Sequence, residues 1–157
     1  ARVGALISRN PEFIAQAMKL CQGRLCSATL DQLGAAALYS VDPDYFTATR
    51  DEYRRRRNAC VEGLHKIPGV VCGEPKGAFY VFPDIRSTGL SSEEFCERFL
   101  MEERVAVISG SAFGPGGEGF VRCCYATSMK DIAEALTRMD NFLTNLKKKR
   151  ARAEENG

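Results

Sequence analysis

Residues 109–128 read SGSAFGPGGEGFVRCCYATS, a turn of small residues and glycines that leads into a short apolar run. The run, Phe120-Val121-Arg122-Cys123-Cys124-Tyr125-Ala126, has the pattern of a buried strand except at Arg122. A permanently charged group in such a place is costly unless an anion pairs with it. Two anions suit. Glu118 could supply a structural ion pair from within the chain, or a bound molecule could supply a carboxylate. The planar guanidinium fork matches a carboxylate in a way that an ammonium does not. The glycines before it fit an ordinary tight connection or a loop that lets backbone approach a ligand closely.

Outward from this stretch, helix signals are frequent. Asn10-Pro11-Glu12 supplies an N-cap, a proline at the first helical position and an acid in the first turn. The helix that follows places Phe13, Ile14, Ala17, Met18 and Cys21 on one face and breaks at Gln22-Gly23-Arg24. An Ala- and Leu-rich stretch from about Ala28 to Tyr39 reads as a second, buried helix, and Val41-Asp42-Pro43-Asp44 stops it and starts another. The third helix, residues 44–66, carries Phe46, Tyr53, Cys60 and Leu64 as its apolar stripe. Its run Arg54 to Arg57 is interspersed with Glu52 and Glu62 and reads as a solvated face, with no nucleic-acid partner expected.

Strands are expected at Arg2 to Ser8, Val70 to Cys72, Ala78 to Phe82 and Val105 to Ile108, besides the Arg122 strand. Ser91 with Glu94 caps a helix reaching about Glu103, with Phe95, Phe99 and Leu100 inward. Ser128 with Asp131 caps a last helix with the stripe Ile132, Ala135, Leu136, Met139, Leu143 and Leu146, ending at Lys147 to Arg150. The order from residue 67 is strand, strand, helix, strand, strand, helix. That is an α/β arrangement, a small sheet covered by helices. Residues 1–42 do not belong to it by pattern. The expected division is therefore 1–42, then 43–150 with its long connecting helix, then a frayed tail, 151–157.

The chain has 157 residues, 45% hydrophobic and 27% charged, with a net charge of +2, as expected of a soluble globular domain with its own core. No run of about eighteen apolar residues is present, so no membrane span is expected. Seven cysteines could indicate disulfides or metal, but the number is odd and His65 is the only histidine. Cys60, Cys72, Cys96, Cys123 and Cys124 sit among apolar residues and read as reduced packing residues, which points to a reducing, cytoplasmic setting. Cys123 and Cys124 face opposite sides of a strand and cannot share an ion; no metal site is expected.

Four segments together, Ala1-Arg2-Val3-Gly4, Gln22 to Ala37, Pro75-Lys76-Gly77-Ala78-Phe79-Tyr80 and Gly110 to Ser128, resemble the C-terminal part of the class I and II aminotransferases, the fold-type I pyridoxal-phosphate enzymes. Within them the chain resembles the aspartate and alanine aminotransferase-like members. The resemblance covers essentially the whole chain. It implies that residues 1–42 are a strand-and-helices remnant of the large cofactor-binding domain and that the rest is the small C-terminal domain.

The same resemblance implies roles. Arg2 matches the arginine that holds the cofactor phosphate, and Arg122 the one that grips the α-carboxylate of the amino acid and 2-oxo acid. Gly110, Ser111, Ala112, Phe113 and Gly114 match the loop closing over the substrate mouth, where Phe113 would exclude water. Arg24 stands ten residues before Gly34, the offset of an arginine that in part of the family binds the substrate's distal carboxylate across a homodimer interface. The imine-forming lysine and the aspartate paired with the pyridine nitrogen match no residue here; Lys19, Lys66 and Lys76 stand in other contexts. No catalytic residue is therefore expected in this chain, and alone it is expected to be inactive, a portion of a longer enzyme. A same-fold lyase or decarboxylase relative, and an anion-binding module without catalysis, are the alternative readings.

Overall fold

Side-chain caps start three of the helices among the described residues. A computed structural model describes residues 2–155. α1, Pro11–Gln22, begins where the Asn10 side chain accepts a hydrogen bond from the Phe13 N–H at 3.1 Å, with Pro11 in the first turn. α2, Thr29–Ala37, has no side-chain cap and continues into a 3-10 turn, Leu38–Ser40. α3 spans Pro43–His65.

Two units divide the chain, Ala1–Thr47 and Ala48–Gly157, so the boundary falls inside α3 and a few residues beyond the expected one. In the first unit none of the described residues is buried. The apolar residues Leu20, Leu25, Leu30 and Tyr39 are almost fully exposed, so α2 is not the buried helix its composition suggests. Arg2 to Ser8 forms no strand. The segment has strand-like composition but no ladder partner among the described residues, and a strand exists only as part of a pair.

The second unit carries the core. A three-stranded antiparallel sheet has the order β1 (Tyr80–Val81), β3 (Val121–Cys124), β2 (Ile108–Ser109). Tyr80 pairs with Cys124, Val81 with Cys123, Ile108 with Arg122 and Ser109 with Val121. The expected strand at Val70 to Cys72 reduces to one bridge, Val71 to Asp84, and Asp84 in turn bridges Phe120. The expected strand at Val105 to Ile108 shortens to its last residue and Ser109. α4, Ser92–Glu103, starts where Ser91 Oγ accepts from the Glu94 N–H at 3.1 Å. α5, Met129–Glu155, starts where Ser128 Oγ accepts from the Asp131 N–H at 3.1 Å.

Alternation along β3 sets the two faces of the sheet. Val121 is fully buried, and Val81, opposite Cys123, is 1% exposed. On the helix side Phe95 and Phe99 of α4 pack against Phe142 of α5, with ring centroids 5.3 Å apart in both pairs, and Leu64 of α3 completes the layer. Phe142 was missing from the expected stripe. Leu100, expected inward, is 45% exposed, and Phe46 is 49% exposed. α5 also runs past its expected end: Ala151 to Glu155 are helical, and the last two residues of the expected tail lie outside the described ones. Its basic run is thereby mid-helix. Lys147 donates to the Pro68 carbonyl at 2.9 Å, and Lys149 pairs with Glu102 at 3.3 Å. Among the described residues no helix is long and apolar enough to cross a membrane.

Candidate functional site

Arg122 lies at the second position of β3 and therefore points to the face opposite Val121 and Cys123. Tyr80 shares that face one diagonal away, because its direct partner is Cys124. The Arg122 guanidinium carbon sits 4.3 Å from the Tyr80 ring centroid and 4.6 Å from that of Phe113. Two aromatic faces thus hold the cation and leave the N–H edges of its fork open, at a stabilisation of about 0.5–2 kcal/mol per contact. Among the described residues no carboxylate pairs with it.

The intrachain alternative, Glu118, is engaged elsewhere. Its Oε1 accepts from the Ser92 N–H at 2.8 Å, at the N-terminus of α4, while Ser92 Oγ accepts from the Gly119 N–H at 2.8 Å. An acid at a helix N-terminus is favoured by the exposed N–H groups there. The structural Arg122–Glu118 pair is therefore not formed.

Phe113 is delivered by a 3-10 turn, Gly110–Phe113, followed by another, Pro115–Gly117. The two turns cross at Gly110 and Gly117. A Cβ on either glycine would collide with the carbonyl oxygen of the other. The Gly110 N–H donates to the Phe120 carbonyl at 2.9 Å and the residue is buried. Gly110 thus shapes the turn, and its N–H is already engaged. Phe113 is 53% exposed and leans edge-on to Phe82 at 6.0 Å; Phe82 stacks on Phe120 at 5.6 Å. Arg86 covers the Phe120 ring at 5.4 Å, yet its charge is matched by Asp84, whose two oxygens accept from Arg86 Nε at 3.0 Å each. Arg86 beside Asp84 holds that carboxyl below its ordinary range. Of the two arginines on this aromatic row, Arg122 alone lacks a carboxylate partner among the described residues.

The sequence profile of aminotransferase class I and II matches residues 1–139. The chain belongs to this family. It is 41% identical over 141 residues to an aspartate aminotransferase of Pyrococcus abyssi, covering 87% of this chain and 36% of that one. It is 40% identical over 150 residues to aromatic-amino-acid aminotransferase 2 of Thermococcus litoralis, covering 93% and 38%. The solved structure of an aspartate aminotransferase from Thermotoga maritima superposes with a TM-score of 0.70 at 39% identity, over 85% of this chain and 34% of that one. The chain thus spans a little over a third of the length of these relatives.

Class I and II aminotransferases depend on pyridoxal phosphate. Arg2, expected to meet its phosphate, has an exposed side chain that makes no ion pair among the described residues. Its backbone N–H donates to an Asp31 carboxylate oxygen at 3.3 Å. A phosphate dianion requires several converging donors, and a neighbouring carboxylate opposes it. The described residues do not form a pocket for this group. Arg24 lies just past α1, where its N–H donates to the Cys21 carbonyl at 3.0 Å and its side chain is exposed. Arg2 and Arg24 belong to the first unit. Arg122, Phe113 and Gly110 are brought together in the second.

Tyr80 joins the candidate site without a signal in the sequence that singles it out. It stood inside the quoted Lys76-Gly77-Ala78-Phe79-Tyr80 segment, but only the β1–β3 register places it diagonal to Arg122. The cysteines divide by face. Cys60 and Cys72 are buried, Cys96 and Cys123 half-buried, and Cys124, expected among the packing residues, is exposed on the Arg122 side of the sheet. Burial pushes the Cys60 thiol up to about 11, and it raises that of Cys123 as well.

Proposed function

We propose that this chain supplies the carboxylate-gripping side of a pyridoxal-phosphate-dependent aminotransferase. That enzyme moves an amino group between an amino acid, aspartate or a similar one, and a 2-oxo acid. The observation that carries this reading is Arg122, a half-buried guanidinium held between Tyr80 and Phe113 with its fork open. A carboxylate entering edge-on would accept two parallel N–H···O bonds while both aromatic faces keep the cation in plane. Phe113, carried on the rigid Gly110–Gly117 crossing, would shield that contact from water and so strengthen it.

Arg2 would add a phosphate contact and Arg24 a distal-carboxylate contact across a homodimer interface, in a cytoplasmic enzyme. Residues 1–42 are assigned to the large domain and 43–150 to the small one. No lysine of the chain stands where the imine would form, so the chain alone has no group to move the proton that amino transfer requires. Two measurements test this reading. Incubation of the 157-residue chain with pyridoxal phosphate, aspartate and a 2-oxo acid is expected to yield no new amino acid. Succinate is expected to bind the chain weakly and saturably, and Arg122→Leu to abolish that binding. Amino transfer by the chain alone, or succinate binding indifferent to Arg122, would refute it.

A further inference from the structure

The arginine run Arg54 to Arg57 does not form one solvated face. Arg55 and Arg56 both turn to Glu52, with Nε to carboxylate distances of 2.9 and 2.7 Å. Arg54 and Arg57 turn to the other side of α3, where Arg50, Tyr53, Arg54 and Arg57 stand at i, i+3, i+4 and i+7 and share one stripe. Opposite that stripe runs the segment Pro75 to Ala78, and between them lies a cavity of about 230 Å³, with the Tyr125 ring in its wall.

Four cations, Arg50, Arg54, Arg57 and Lys76, line this cavity. The carboxylates that pair with them are two: Asp51, 2.8 Å from Arg54 and 3.9 Å from Arg50, and Glu74, 2.9 Å from Arg57. Among the described residues Lys76 has no ion-pair or hydrogen-bond partner. A surplus of two positive charges therefore faces one concave space. Arg57 is the fixed member, 22% exposed and also donating to the Pro75 carbonyl at 3.4 Å. The Asp51 pairs are more than half exposed, and pairs of that kind contribute little, so an incoming anion can replace them at small cost.

We propose that this cavity is a binding site for a phosphate group, either free or as the monoester of a small organic molecule. It is distinct from the Arg122 site. A phosphate monoester carries close to two negative charges above its second ionisation, equal to the surplus here. Arg54 can engage two of its oxygens as a fork, and Lys76 a third as a point charge. Tyr53 is half-buried, with Arg56 over its ring at 5.5 Å and the Tyr125 ring 6.4 Å away, and lines the cavity as an aromatic edge for the organic part.

The test is calorimetric titration of the full chain with inorganic phosphate and, separately, phenyl phosphate, at about pH 8 and constant ionic strength. One saturable site is expected. Lys76→Gln weakens binding about tenfold, as the loss of one charge-assisted contact should. Arg55→Gln, on the Glu52 side of the same helix, leaves it unchanged, and so does Arg122→Lys. Tighter binding of phenyl phosphate would assign an ester; equal affinity would assign the phosphate group alone. Lys76 and Arg55 are exposed, so neither change disturbs the core, and unaltered circular dichroism checks this. Unsaturable heats, or equal weakening by Lys76→Gln and Arg55→Gln, would overturn the proposal, since either would show only the field of a basic helix.

Discussion

The Glu118 carboxylate accepts a hydrogen bond from the Ser92 backbone N–H at 2.8 Å, and Arg122 is left without a carboxylate partner among the described residues. One acid thereby anchors the glycine-rich turn to the start of α4 and frees the arginine on the neighbouring strand. Glu118→Ala removes that cap. It is expected to lower stability by about 1 kcal/mol, the usual cost of a lost N-terminal cap. Urea unfolding measures this, and succinate binding should persist.

Gly110 and Gly117 cross too closely for any side chain on either. Gly110→Ala must move backbone rather than a side-chain end, and a loss of about 3 kcal/mol or more is expected. Gly116→Ala, two residues beyond Gly114, where a Cβ would meet nothing, is expected to change stability by less than about 0.5 kcal/mol. Thermal unfolding of the pair separates a requirement for close approach from a general loop effect.

The aromatic core of the second unit rests on Phe142, fully buried against Phe95 and Phe99. Phe142→Ala is expected to cost about 3–5 kcal/mol, from lost burial and the cavity left behind. Denaturant titration should show this as a lower midpoint with an unchanged slope.

Buried thiols give a pH signature. The Cys60 thiol is raised from 9.0 to about 11, so the folded chain keeps this proton where the unfolded chain releases it. Proton uptake is then greater in the folded state, and stability falls as pH rises from about 9 to about 11. Below that window the contribution is fully present. Unfolding measured across it checks the sign. Iodoacetamide labelling read by mass spectrometry is expected to reach the exposed Cys21, Cys26 and Cys124 before the buried Cys60 and Cys72.

Helix starts were legible because their signals are local: Asn10-Pro11, Ser91 and Ser128 each make the cap their spacing implies. The sheet was less so. Strands of two residues at Tyr80–Val81 and Ile108–Ser109 exist through pairing with β3, and no propensity of their own sets their limits. The segment Arg2 to Ser8 has a strand-like apolar pattern and forms no strand, with no ladder partner among the described residues. At the site, the arginine was visible as a charge on an apolar strand. Its aromatic clamp was not, since Tyr80 reaches it through strand register and Phe113 through a turn.

The role proposed for the Arg122 fork is that of a carboxylate receptor. The most direct test follows the arginine Nε–H signals of the chain by NMR during titration with succinate. The Arg122 signal is expected to shift saturably, with Arg86, already held by Asp84, unmoved, and Tyr80→Leu should weaken the response several-fold by removing one wall of the clamp. An Arg122 signal that stays still while succinate is added, or one that moves only in step with every other arginine, would contradict that role.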